Sequence, residues 1–178
     1  LREQTAALIW MGAIVFVVVF VILPCSVKVL RPYQRGVVFR LGRLYGVLGP
    51  GLRSVWPLVD KMVLVDTRVR AEPVSVQDLM TRDRAVVTVG AVVYFYIADP
   101  EKAVVAVERS GEATVMFTKL TIGTVVSESE LEEVMRERHK LNQRVRETVD
   151  QHAAPWGIKV TAVEIRDVTL KERPSVSA

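Results

Sequence analysis

Between Gln4 and Val27 the chain carries no charged residue, and Ala6 to Leu23 is almost wholly apolar (AALIWMGAIVFVVVFVIL). A helix rising 1.5 Å per residue would stretch this run over about 27 Å, close to the hydrocarbon thickness of a bilayer. A core helix of a small domain keeps one polar face, and this run has none. A cleaved secretory signal has an apolar region of about 7–15 residues and small residues at its cleavage site. Here the run is longer and ends in Leu23-Pro24-Cys25, where Pro24 also fits poorly before a lipid-modified cysteine. The run predicts a retained membrane-anchor segment over residues 1–27, with Trp10, Phe16, Phe20, Leu23 and Pro24 as its anchoring residues.

Charge orients that segment. Lys28, Arg31, Arg35, Arg40, Arg43 and Arg53 follow it before the next acidic residue, Asp60, whereas only Arg2 and Glu3 precede it. The positive-inside rule then places the bulk of the chain on the cytoplasmic side of the cell membrane. Lys28, Arg31 and Arg35 would meet anionic lipid headgroups of the bilayer, at about 1 kcal/mol for each near-surface charge. Arg40, Arg43 and Arg53 read equally well as solvated strand charges. Cys25 stands at the boundary, open to S-acylation or to burial as a plain thiol. It is the only cysteine, which excludes an intrachain disulfide and a thiolate metal cluster. A net charge of +4 over 178 residues is too mild for a nucleic-acid partner.

After the anchor the pattern changes to short alternating runs. Gly36–Leu44 reads as a strand, and Gly46 with Gly49-Pro50-Gly51 as a turn region. No Gly-Lys-Ser/Thr ending follows those glycines, so they do not form a phosphate loop. Trp56-Pro57 suits either a membrane interface or a core. Further strands are expected at Met62–Asp66, Val74–Val76 and Ala85–Ile97, the last rich in β-branched and aromatic residues. Asp99-Pro100 opens a short helix to about Arg109, and a second covers roughly Glu112–Val126. Ser127 and Ser129, with Glu130 and Glu132 three residues on, offer overlapping capping boxes for a long helix over about 128–154. Along it Leu131, Val134, Leu141, Val145 and Val149 form an apolar stripe, interrupted at Arg138, fit to pack on the sheet or as an oligomer contact on a neighbouring subunit. Ile158–Val168 alternates as a final strand. Strands, then helices, then a returning strand predict an α+β fold, a mainly antiparallel sheet with packed helices.

Enzyme chemistry finds little support in the residues. His139 and His152 are too far apart on one helix to share a metal, and no cysteine or paired carboxylate completes a site. Ser127 or Ser129 with His139 and Asp150 lacks any nucleophile-elbow sequence, and serine is better explained as a cap. No catalytic, cofactor-binding or metal-binding residue is expected.

The stretches RGVVFRLGRL, GPGL, VDTRV, TRDRAVVTVGAVVYFYIADP and WGIKVTAVEIRDVTL together resemble the stomatin-type branch of the SPFH (band 7, prohibitin-homology) superfamily. The resemblance runs from the apolar segment to Leu170 and implies an SPFH domain over 28–170, with a short tail at 171–178. It also implies a membrane-anchored homo-oligomeric scaffold that organises microdomains and regulates channels or membrane proteases, sometimes beside an NfeD-type protein. A low-order accessory subunit tethering one protease or channel is the alternative. The pattern departs at Lys119–Gly123, where relatives carry Gln-Thr-Thr-Leu-Arg, so that Gly123 replaces an arginine, and at Lys171, which replaces a proline. Relatives also continue past Ala178 into a long helix that supports assembly, and a single pass and a membrane hairpin remain equally open for the anchor.

Overall fold

The computed structural model describes Met11, residues 27–56 and residues 59–171, and the chain divides into two compact units, Leu1–Asp66 and Thr67–Ala178. Among the described residues no helix is long and apolar enough to cross a membrane. The run from Ala6 to Leu23 lies outside them, save Met11. The membrane helix written into the expected fold, the anchored function and the cell-membrane location are corrected accordingly.

The first unit is built of antiparallel strands. β1 (Val27–Leu30) pairs with β4 (Gly51–Ser54), and β3 (Arg43–Leu48), β2 (Gln34–Arg40) and β5 (Asp60–Asp66) form a three-stranded sheet with β2 in the middle. The single strand expected over 36–44 is therefore two. Arg40 pairs with Arg43, and the two-residue connection Leu41-Gly42 has φ of 47° and 80°. Two positive φ angles suit the right-handed twist of a hairpin, and Gly42 adopts its value freely. Leu41 hides the turn, because an apolar residue there continues the alternation of the strand. Across β2 and β5, Arg40 and Asp60 make a two-pronged ion pair at 2.7 and 3.0 Å, and the guanidinium also lies 4.1 Å from the centre of the Tyr45 ring. The Arg40 hydrogen bond holds the Asp60 carboxyl below the ordinary carboxylate range.

The second unit contains one antiparallel sheet, β6 (Arg70–Met80), β7 (Val86–Ile97) and β8 (Ile158–Leu170), with β7 central. Val87, Val89, Ala91, Val93 and Phe95 alternate along β7 and are all buried, the period-2 signature of a sheet covered on that face. The helices are α1 (Pro100–Val105), α2 (Ser110–Glu128), α3 (Leu131–Arg136) and α4 (Arg138–Ala153), followed by a 3-10 turn at Ala154–Trp156. α2 packs on β6 and α4 on β8, so Ile122, Val126, Leu141, Val145 and Val149 close over the β7 row in one core. This is the antiparallel, helix-packed architecture that the order of elements predicts. Asp99 caps α1 through Glu101 N and Lys102 N, with Pro100 in the first turn.

Both edges of this sheet are protected. Pro73 and a bulge between Val76 and Leu79 interrupt β6. On β8, Asn142 Oδ1 accepts from Ile165 N (3.0 Å) and Asp150 Oδ1 from Val160 N (3.1 Å), while Arg138 Nη1 donates to Arg166 O (2.9 Å). Arg138 interrupts the apolar stripe of its helix because it is one of these edge contacts.

The long helix expected over 128–154 is two helices. It breaks at Glu137, with φ −102° and ψ 39°, although Met135, Arg136 and Arg138 around the break are good helix formers. Tertiary anchors at either side hold the two pieces. α4 is fixed to β8 as above, and the first amide of α3, Leu131 N, donates to Asp83 Oδ1 (3.2 Å) in the β6–β7 loop. Arg82 N in the same loop donates to Ser129 O (3.0 Å). The capping boxes are corrected as well. Ser127 and Ser129 end α2, their hydroxyls bonded back to Thr124 O and Val125 O, and Asp83 does the capping from 48 residues earlier.

Hydrogen bonds from Thr81, and then from the amides of Asp83 and Leu131, lower the Asp83 carboxyl against the opposing effect of burial. A depressed carboxylate stabilises the fold fully above its unfolded value, about 3.9, and loses that contribution as pH falls through its native value. Asp83→Asn should therefore lower the urea midpoint at pH 6, and the gap to the parent should close as the pH is taken below about 4. A gap of equal size at pH 6 and pH 3 would show that the charge of Asp83 has no part in holding α3.

Candidate interaction surface

The residues with the greatest chemical potential are occupied by structure. Among the described residues no group of three or more His, Cys, Asp and Glu could hold a metal. His152 stacks on Phe117 at 4.5 Å, with Nδ1 2.9 Å from Thr148 O, and His139 is exposed. Asp150 binds Lys159 Nζ (2.6 Å) and Val160 N. With Ser127 and Ser129 bonded to their own helix, the imagined Ser–His–Asp set is spread over three separate structural roles.

The apolar stripe lies inside the chain. Val134, Leu141, Val145 and Val149 are fully buried in the core, and Leu131 is half-buried against it. Of the basic residues after the apolar run, Lys28 is exposed on β1 opposite Arg53, and Arg31 donates to the Tyr33 hydroxyl at 2.8 Å. Arg35 sits half-buried on β2 with Nη1 enclosed. Trp56 is 65% exposed and so is no part of a core. Trp10, Phe16, Phe20, Leu23, Pro24 and Cys25 lie outside the described residues.

The surface that stands out belongs to α2. Its buried face carries Ser110, Thr114, Thr118 and Thr121. The three threonine hydroxyls donate to Ser110 O, Thr114 O and Phe117 O at 2.8, 2.8 and 2.9 Å, so that each of them finds its acceptor within the helix itself. Its outward face carries Met116 and Leu120, 67% and 62% exposed. The usual distribution of polar and apolar residues on a surface helix is thus blurred, and an apolar ridge faces outward. A hollow flanks each side of the ridge. One, of about 610 Å³, lies between α2 and β6 over Phe95, Val115 and Met116, with Arg70, Glu72, Glu112 and Lys119 around it. The other, of about 300 Å³, lies towards α4 beside Phe117, Leu120 and Thr124, closed at one end by the Glu128–Arg144 ion pair at 3.1 Å. Apolar floors with alternating charges at the rim suit a protein segment, and hold no constellation for bond chemistry. The sequence signals were present in the Met116/Leu120 spacing and the scarcity of charge along the helix. The capacity of threonine to be buried kept them from standing out.

The chain matches the SPFH domain / Band 7 family over residues 28–176. It is 44% identical to an uncharacterised protein of Archaeoglobus fulgidus over 92% of this chain and 65% of that one. It is 42% identical to a stomatin homologue of Pyrococcus horikoshii over 89% of this chain and 59% of that one, and 39% identical to stomatin-1 of Caenorhabditis elegans, covering 89% and 49%. The chain therefore spans about half to two thirds of these relatives' length. The family is one of non-catalytic scaffolds that associate with other proteins in membrane contexts, and the chain is not an enzyme. A match of this extent, on a helix-packed antiparallel sheet, makes the chain a stomatin-like member of the SPFH domain / Band 7 family.

Proposed function

We propose that the chain acts as a low-order accessory subunit, an SPFH module that holds a single client such as a membrane protease, a channel or an NfeD-type protein. The observation that carries this reading is the α2 surface, an apolar ridge between two hollows with charged rims and no reactive group. Such a surface contributes affinity through burial and specificity through its rim, which is what a tethering subunit needs. The test is the particle mass of the full chain by light scattering on a sizing column, in mild detergent because of the apolar run at Ala6–Leu23. One or two chains per particle, after subtraction of detergent, is the expected result. A particle of many chains overturns the low-order reading in favour of a self-assembling array.

A further inference from the structure

The two hollows beside the α2 ridge are offset along the helix. The α2 residues that line the first run from Gly111 to Lys119, and those that line the second run from Phe117 to Glu128. The midpoints of these spans are about 7.5 positions apart, or about 11 Å along the axis at 1.5 Å per residue. A helix with its side chains is about 10–12 Å across, so the hollows lie about 16 Å apart on a line that crosses α2 at about 45°. That line passes between Met116 and Leu120, the exposed residues of the ridge. An angle of this size falls within the scatter of the commonest packing of two helices, at about 50°. A length of about 16 Å is about eleven residues of helix, or three turns, so a crossing helix brings one and the same face down on both hollows.

A helix suits this surface better than an extended segment. An extended segment that leaves water needs partners for its backbone groups. β6 borders the first hollow but has no amide to offer at Pro73, and α2 and α4 use their backbone groups internally. A helix arrives with its backbone already paired and has only side chains to place. Charge then selects the kind of helix. Arg70 and Lys119 stand at the first hollow with no carboxylate partner among the described residues. Glu112 there is held by Arg109 at 3.2 Å, which leaves Glu72 to face two cations and a surplus of one positive charge. At the second hollow Glu128 and Arg144 neutralise each other at 3.1 Å. We propose that the client presents an amphipathic helix laid diagonally across α2, with two bulky apolar side chains, about eleven residues apart, one in each hollow. Small residues of that helix pass over Met116 and Leu120, and a carboxylate beside the first hollow answers Arg70 and Lys119. Such a helix is the part of the client that the accessory-subunit reading leaves unnamed, and its assignment rests on that reading.

The test uses a fluorescein-labelled synthetic peptide of alanine and glutamine, with leucines eleven positions apart, alanines midway between them and a glutamate one turn before the first leucine. Its anisotropy is followed against the full chain in mild detergent, with detergent alone as the blank. Binding in the micromolar range is expected, because one helix buries less than the roughly 1,200 Å² of a stable interface. A peptide with its leucines seven positions apart, and another with a proline midway, should each bind at least about tenfold more weakly, the effect of losing one apolar anchor. Leu120→Glu in the chain should weaken binding by a similar factor and leave the melting curve unchanged. Lys119→Glu should weaken it about threefold, the size of an exposed ion pair, and a peptide with lysine in place of the glutamate should restore it. Equal binding at the two spacings, or by the proline peptide, overturns the helix. Indifference to Leu120→Glu overturns its place on α2, and a Lys119→Glu loss that the lysine peptide does not restore overturns the charge match. Particle mass on the same samples separates the two readings. One or two chains per particle with no peptide bound overturns the docked helix alone. Many chains per particle with the expected pattern of peptide binding supports the helix and overturns the low-order reading.

Discussion

Gly157→Ala should cost the second unit about 3 kcal/mol or more, a large part of the stability of an ordinary domain. Gly157 ends the 3-10 turn before β8 with φ of 71°, where an L side chain is already strained by about 1–2 kcal/mol. The larger difficulty is space. A Cβ at this position would stand 2.3 Å from Asp99 O and 3.1 Å from Ala103 N, both main-chain atoms. Neither side can yield easily, because Gly157 O accepts from Ala98 N (2.9 Å) and Asp99 N (3.0 Å), and Asp99 in turn caps α1. The substitution therefore strains the turn, the start of β8 and the cap of α1 together. Urea denaturation followed by circular dichroism measures the loss, and a variant within 1 kcal/mol of the parent would mean that the Asp99–Gly157 approach is not as close as the structure has it.

Leu141→Ala should cost about 2–5 kcal/mol, the range for removing a large side chain from a packed core. Leu141 is fully buried, enclosed in one cluster with Val134, Val145 and the β7 row. Because the burial lies within one chain, the loss should be the same at every protein concentration. A residue serving a subunit contact would behave otherwise, its penalty depending on how much partner is present. Met135→Ala, at a position 44% exposed on the neighbouring helix, should stay within about 0.5 kcal/mol and serves as the control. A concentration-dependent loss at Leu141 would return the stripe to the role of an oligomer contact.

The parts of the fold that could be read from the sequence are those whose signals are local. β7 and β8 alternate cleanly, and Asp99-Pro100 marks a helix start by chemistry that operates within three residues. The division of the long helix was illegible for the opposite reason, since the sequence at Glu137 favours continuation and the break depends on Asp83 and on the β8 edge. β1 and β4 were missed because each is a four-residue strand, too short for alternation to show. The exposed face of α2 was concealed by its threonines. Thr114, Thr118 and Thr121 point inward with their hydroxyls satisfied by the helix itself, so that polarity ceased to mark the outside.

The protected edges of the second unit's sheet bear on what can be made from many copies of it. Pro73 and the bulge on β6, and the side chains of Asn142 and Asp150 on β8, break up the two edges along which a neighbour's backbone could add. Cross-β growth from this sheet is disfavoured, and side chains offer copies of the unit a better joint than backbone does. A joint of that kind can be retuned, weakened or redirected by one substitution at a time, without any rebuilding of the framework beneath it.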